Sequence, residues 1–413
     1  MEFFDTVVVG GGQAGIATSE HLSRLGISHV VLEKGRVAES WRSRRWDSLV
    51  ANGPAWHDRF PHLEYPCGDD EFPGKDTVVE YFEAYAEKMQ VPMRTGVEVT
   101  RVEPAGRAFH LQTSQGPIRA EHVVAATGAF QTPSIPPIIP EGADVVQMHS
   151  SDYRNPDQLP SGAVLVVGGG SSGVQIAKEL LAAGWDTYLS LGPHDRPPRR
   201  YRGRDNVWWL GVLGKWNADT PGPGTEHVTI AVSGSDGGKT IDFRALAHDG
   251  LHLLGMTAHY DRGTLHFAGD LKRNLDAGDA NYLSVLDEAD RFIARAGLKL
   301  PPEPEARNIP EDPACVVEPI RSLDLAREGI GTVLWATGYT FDFSWIKADA
   351  FDDRGHPRHQ RGVSAHPGLY FVGLPWQTRR GSSFIWGVWH DAKFIADQIA
   401  IDNSYMAHHF GSG

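Results

Sequence analysis

Two six-residue strings, Gly10-Gly11-Gly12-Gln13-Ala14-Gly15 and Gly168-Gly169-Gly170-Ser171-Ser172-Gly173, have the composition and spacing of a backbone cradle for a pyrophosphate. Small residues let main-chain amides approach the anion, and the helix that comes next turns its positive N-terminal end toward it. In the first copy Gly10 is expected to make the turn, Gly12 to let the backbone approach the phosphates, and Gly15 to let helix and strand pack closely, with Gln13 and Ala14 opening the helix. Gly168, Gly170 and Gly173 repeat these parts, with Ser171 and Ser172 at the helix start. Each string comes after an aliphatic run, Thr6-Val7-Val8-Val9 or Val164-Leu165-Val166-Val167, and leads into a helical pattern. That is the strand, turn and helix context the fingerprint requires, so two dinucleotides are expected.

The two cradles differ in the strands downstream of them. The strand after the first helix, Val30-Val31-Leu32-Glu33, ends in a carboxylate about 20 residues past the glycines, with Lys34 beside it, and a carboxylate there accepts a hydrogen bond from a ribose hydroxyl. The corresponding second strand, Thr187-Tyr188-Leu189-Ser190-Leu191-Gly192, ends without an acid and is succeeded by Arg196, Arg199 and Arg200. Guanidinium groups match a phosphate in a bidentate way, so these arginines suit a phosphorylated ribose. The first site therefore reads as FAD and the second as NADPH.

The elements that must position these cradles need two or three domains, which 413 residues supply. A net charge of −13 argues against nucleic acid or an anionic membrane as partner. The sequence has no apolar run of about 18 residues and enters its first strand by about the fifth residue, leaving no room for a leader, so the cytoplasm is the expected compartment. Cys67 and Cys315 are too few and too far apart for a disulfide framework, a metal site or the thiol pair of a disulfide reductase. No metal is expected.

The expected fold is α/β, with two Rossmann-like dinucleotide-binding domains, the NADPH domain inserted into the FAD domain. Residues 1–155 would form the first part of the FAD domain, 156–310 the NADPH domain, and 311–413 the returning FAD part. Pro-rich stretches at 131–137 and 301–304 mark the crossings, because proline lacks an amide donor and forces extended backbone. A strand ending in Ala126-Thr127-Gly128 is echoed by Leu334-Trp335-Ala336-Thr337-Gly338-Tyr339. Residues 388–399 read as a helix, either one whose start near Gly387 faces the flavin or an ordinary packing helix. The 201–300 segment is the least regular, with turns around Pro221-Gly222-Pro223-Gly224 and tryptophans that suit either a pocket or a core.

Together with Ser40-Trp41-Arg42 through Arg45-Trp46-Asp47-Ser48-Leu49 and the tail Gly368-Leu369-Tyr370-Phe371-Val372-Gly373-Leu374-Pro375, these motifs make the chain resemble the flavin-containing monooxygenase family over nearly its whole length, with YUCCA flavoproteins and bacterial FAD-dependent oxidoreductases as relatives. One family string, F-x-G-x-x-x-H-x-x-x-aromatic, is half present: His149 and Tyr153 match, whereas Ala143 and Val145 replace the first aromatic and the glycine. The resemblance implies cofactor contacts at Trp41, Arg42, Trp46, Thr127, Gly128, Ala336, Thr337, Gly338 and Arg379. It implies a catalytic part for Asn52, beside the nicotinamide. Trp208, Trp376, Phe384, Trp386, Trp389 and His390 are expected to wall the substrate pocket.

The implied activity is an NADPH-consuming, FAD-dependent monooxygenase that forms a C4a-(hydro)peroxyflavin and oxygenates a soft nitrogen or sulfur nucleophile or an electron-rich aromatic small molecule. Alternatives are Baeyer-Villiger ketone oxygenation, an NADPH oxidase releasing hydrogen peroxide, and a redox sensor without turnover. Partners would be a small-molecule substrate and dioxygen; a homodimer is left open.

Overall fold

The structure, a computed structural model, describes residues 1–219 and 229–410. The Pro221–Gly224 turns lie outside the described residues. Two sheets organise the chain. In the first, Glu2–Val9 lies between His29–Glu33 and Gly116–Ala125, parallel to both, with Val8 opposite Val31 and Val124. Met93–Thr95 extends one side, and Leu369–Phe371 pairs parallel with Gly116–Ala125 on the other. Val7 and Val8 are wholly buried, as a strand covered on both faces must be.

In the second sheet Ala163–Val167 lies between Thr187–Ser190 and Ile330–Trp335, with His252–Leu254 and Val146–His149 outermost, all parallel. The chain thus leaves the first sheet after Gly116–Ala125, builds the second and returns at His359–Gln360, which with Val363–Ser364 leads antiparallel into Leu369–Phe371. This is the inserted, doubly Rossmann-like arrangement. The crossings are displaced from the expected boundaries: Val146–His149 and Ile330–Trp335 both belong to the second sheet, which extends past 156–310 on both sides. The reason is that 301–304 is no crossing; it comes after the helix Leu271–Ala296 within the second unit. The true crossings run side by side, Thr132–Pro133 pairing antiparallel with Tyr339–Thr340, and His149 Nε2 lies 2.9 Å from the Gly338 carbonyl.

The 201–300 segment is more regular than its sequence suggests. Leu271–Ala296 is a 26-residue helix burying Leu271, Leu275, Tyr282, Leu286, Ala289 and Ile293 along one face and ending at Gly297 with φ +64°. The spacing of three, four and seven residues is that of an amphipathic helix. The C-terminal helix spans Ile385–Phe410, longer at both ends than 388–399.

Candidate functional site: two cradles and an aromatic pocket

At the first cradle Gly10 has φ +117°, and a Cβ there would stand 2.5 Å from the Ala126 carbonyl oxygen. A Cβ on Gly15 would stand 1.8 Å from the Gly10 carbonyl oxygen. A Cβ on Gly12 would meet no heavy atom of the rest of the chain within 4 Å, and the helix Gln13–Arg24 begins there without a side-chain cap. An uncapped helix start facing open space fits an anion. Glu33 stands beside it, its carboxylate accepting from the amides of Gly11 at 2.6 Å and Gly35 at 2.7 Å. A carboxylate has about four acceptor positions, so capacity remains for a ribose hydroxyl. The residues present fit FAD.

The second cradle repeats this geometry: Gly168 has φ +117°, a Cβ on it would stand 2.5 Å from the Ala336 oxygen, and one on Gly173 would stand 1.8 Å from the Gly168 oxygen. The helix Ser171–Ala182 also begins uncapped, at Gly170. The Ala-Thr-Gly echo thereby finds its reason. Ala126 and Ala336 each pass under the turn glycine of their own cradle, and Thr127, Gly128, Thr337 and Gly338 come next at the crossings. Thr127 receives Gln131 Nε2 at 2.9 Å, and Thr337 Oγ1 donates to the Ser134 carbonyl. Thr229 and Ile230 pass near the second mouth: Ser171 Oγ donates to the Ile230 carbonyl at 2.9 Å.

The arginines divide. Arg196 is 3 % exposed and bonded to Asp279 at 2.7 Å; Arg199 is 1 % exposed, paired with Asp205 and donating to the Asn52 carbonyl. This corrects the expectation that all three face a phosphate, because a guanidinium neutralised by a buried carboxylate offers an anion little net attraction. Arg200 remains exposed. Trp46 is corrected as well: at 3 % exposure it packs in the second core with Leu49, Tyr153 and Val164, leaving its ring no face for a cofactor. Trp41 is half-buried beneath Arg45, Arg42 pairs with Glu83 at 2.5 Å, and Lys34 is exposed.

Asn52 stands between the two units. Its Oδ1 accepts from Gln175 Nε2 at 3.0 Å, on the helix of the second cradle. It lines a cavity of about 130 Å³ together with Asp58, Asp195, Ile230, Arg380 and Phe384. Burial pushes the pKa of Arg380 down, and Asp195 pushes it back up. The loop carrying Arg380 is tied to the first cradle, where Gln13 Nε2 donates to the Ser383 carbonyl at 2.8 Å. The loop is also tied to the second unit, the Gly381 amide donating to the Trp216 carbonyl at 3.2 Å. Asp391 anchors it from below, accepting from Thr378 Oγ1 at 2.6 Å, with its pKa raised by burial.

Across Trp216, which lines both spaces, lies a pocket of about 470 Å³ walled by Trp56, His57, Trp208, Trp216, Trp386 and Arg379. Of the residues expected there, Trp208 and Trp386 line it, whereas Phe384 lines the Asn52 cavity, meeting Trp216 edge-on at 5.1 Å. Trp389 does not: its indole donates to the buried Glu20 at 2.8 Å and packs on His21, so the ring turns into the first core. His390 is exposed beyond Trp386, and Trp376, at φ +55°, lies outside both linings. Arg379 donates to Asn217 Oδ1 at 2.9 Å and leans over Trp386, which makes it a pocket residue rather than a contact of the first cradle. Trp56, His57 and Asp58 carry no signal in the sequence, where they sit in an aperiodic loop after Gly53-Pro54.

Among the described residues no helix is long and apolar enough to cross a membrane, and no His, Cys, Asp and Glu grouping could hold a metal. Both cysteines are free; Cys67 packs on the first core and Cys315 on the second.

Residues 7–195 match the family described as pyridine nucleotide-disulphide oxidoreductase. The chain is 33 % identical over 399 residues to the oxidoreductase CzcO-like of Geobacillus kaustophilus, covering 96 % of this chain and 98 % of that one. It is 33 % identical to indole-3-pyruvate monooxygenase YUCCA4 of Oryza sativa, over 95 % of this chain and 86 % of the relative. Its fold is similar to that of the flavin-containing monooxygenase from Stenotrophomonas maltophilia, with TM-score 0.67 and 20 % identity over 97 % and 99 % of the two chains. The cofactors are FAD and NADPH, and the chain, an NADPH-dependent flavoprotein monooxygenase, belongs to the flavin-containing monooxygenase family.

Proposed function

We propose that the enzyme oxygenates a small aromatic or heteroaromatic molecule, at a soft nitrogen or sulfur atom or on an electron-rich ring, held in the tryptophan-lined pocket. The observation that carries this reading is that the pocket and the Asn52 cavity between the two cradles share Trp216 as a common wall. Four tryptophans offer apolar area and π faces to a flat substrate. A relative named for an indole-bearing acid supports an aromatic substrate.

When bound, FAD accepts reducing equivalents from NADPH and activates dioxygen. The chain's own residues do the rest. Gly12 and the start of the helix Gln13–Arg24 receive the FAD pyrophosphate, and Glu33 accepts from its ribose. Gly170 and the start of the helix Ser171–Ala182 receive that of NADPH, and Arg200 pairs with the ribose phosphate. Asn52, tied to Gln175, holds the nicotinamide end against the cavity, while Trp216 and Phe384 keep water from it. We assign the FAD domain to the segments before and after the second sheet, and the NADPH domain to the segment that builds that sheet.

A second reading is favoured by Arg380: a half-buried cation at this cavity would stabilise negative charge on oxygen, as insertion beside a ketone requires. Incubation with NADPH, oxygen and matched aromatic thioethers, amines and ketones, then mass spectrometry of the products, tests both. Oxygenated thioether or amine supports the first reading, ester from ketone alone the second, and hydrogen peroxide without product refutes both.

A further inference from the structure

His57 and Asp58 stand on the wall between the two cavities. His57 Nδ1 lies 2.7 Å from Asp58 Oδ1, and both side chains are only 11 % exposed. The imidazole is fixed by aromatic rings on three sides: Trp216 stacks on it at 5.3 Å and 22°, and Trp56 and Trp386 meet it edge-on at 5.3 and 5.2 Å. His57 faces the aromatic pocket, and Asp58 lines the Asn52 cavity.

Gly53 supplies a second, independent observation. A Cβ on this residue would stand 2.3 Å from the Asp58 carboxyl carbon and 2.3 and 2.4 Å from its oxygens, and the residue does not have the positive φ that would otherwise call for glycine. What glycine provides here is room for that carboxylate.

A carboxylate held against Nδ1 fixes the imidazole in the tautomer that carries its proton on Nδ1, leaving Nε2 as an acceptor, and offsets the charge when Nε2 is protonated. The other charged groups near this imidazole are Arg379, in the same pocket, and Arg199, Arg380, Lys215 and Asp195, which line the neighbouring cavity; His390 lies behind Trp386.

We propose that His57 is a general acid–base catalyst for substrates bearing an exchangeable proton on the reacting atom, with Asp58 as its positioning residue. This rests on the monooxygenase reading of the pocket. The N–H or O–H bond of the substrate breaks as the Nε2–H bond forms, and the electron pair stays on the substrate atom. Nε2 then gives the proton to the dioxygen-derived oxygen atom that leaves as water. The imidazole ends as it began, and no electron passes through it.

The test compares N-methylaniline, which has an N–H, with N,N-dimethylaniline, which has none, in the holoenzyme and its His57→Gln and Asp58→Asn variants. General acid–base contributions are about 10²- to 10⁴-fold. His57→Gln should lower kcat for N-methylaniline by about 100-fold or more beyond any loss for N,N-dimethylaniline, which meets the same pocket wall but has no proton to give up, and should abolish the pH inflection of the former. Nitrogen-15 NMR of the imidazole should find the proton on Nδ1 in the wild type and on Nε2 in Asp58→Asn, which tests whether Asp58 sets the tautomer, and the difference between the two amines tests whether that tautomer moves a proton. Equal losses for both amines, an unchanged pH profile or an Nε2–H tautomer in the wild type would overturn the proposal. A wild type that oxidises NADPH to peroxide alone, with neither amine oxygenated, would instead overturn the monooxygenase reading and the proton relay with it.

Discussion

Replacing Glu33 by Gln is a nearly isosteric change that tests the first cradle. The carboxylate accepts two backbone amides, Gly11 at 2.6 Å and Gly35 at 2.7 Å, one on each oxygen. Glutamine keeps one carbonyl oxygen and turns an NH₂ group toward the other amide, so one charge-assisted bond is lost and the other weakened. Hydrogen bonds to a charged group contribute about 1.5–3 kcal/mol each. The bond that Glu33 offers the FAD ribose hydroxyl is of this charge-assisted kind and is also weakened, so FAD binding should fall by about 10- to 150-fold, since about 1.4 kcal/mol is a factor of ten. FAD affinity is read by reconstituting apoenzyme and monitoring flavin fluorescence, with NADP⁺ binding as the internal control, because Glu33 is remote in the chain from the Gly168–Gly173 cradle. An FAD affinity within about twofold of the wild type, or an equal loss for both nucleotides, would refute the assignment of Glu33 to the first dinucleotide.

Arg200→Ala should raise the KM for NADPH by about tenfold and leave that for NADH unchanged, as one exposed charge-assisted contact to a phosphate requires; equal effects on both would remove Arg200 from phosphate recognition. Asp205→Ala, which leaves the guanidinium of the 1 % exposed Arg199 without its carboxylate, should lower stability in urea by about 3–5 kcal/mol, with FAD absorbance unchanged before unfolding. Asn52→Ala should divert NADPH oxidation toward hydrogen peroxide while FAD content stays constant; unchanged coupling would reduce Asn52 to its contact with Gln175. The His21 pKa is pushed down to about 4, chiefly by burial. The unfolded chain then binds a proton that the folded one refuses, so stability is intact above about pH 6.5 and falls progressively toward pH 4, by about 3 kcal/mol in all. His21→Gln should flatten that limb of the urea-midpoint profile, and an unchanged slope would contradict it.

The cradles were legible in the sequence because their requirements are local. A glycine that must turn at φ +117° is required by its own backbone, and one whose Cβ would strike a carbonyl at 1.8 Å is required by a residue five positions earlier. The insertion was legible from the repeated grammar, but its ends were not, since Val146–His149 and Ile330–Trp335 are joined to the second sheet by pairing between segments about 185 residues apart. The same limit explains the arginines: Arg196 and Arg200 look alike in sequence, and only the helix Leu271–Ala296, which brings Asp279 to Arg196, separates them. The pocket was half legible. Trp386 could be found from its place after the final strand, whereas Trp56 and His57 reach it from an aperiodic loop that no hydrophobic period announces.

In an NADPH-dependent monooxygenase the electrons of NADPH let one atom of dioxygen enter an organic substrate, and the oxygen itself can be traced. Turnover under ¹⁸O₂ with methyl phenyl sulfide or N,N-dimethylaniline, with NADPH consumption counted in parallel, makes that trace. One ¹⁸O atom per product molecule is expected, the second in water, with one NADPH consumed per product. Product oxygen drawn from water, or NADPH consumed with hydrogen peroxide as the sole oxygen product, would show that the enzyme does not oxygenate these substrates.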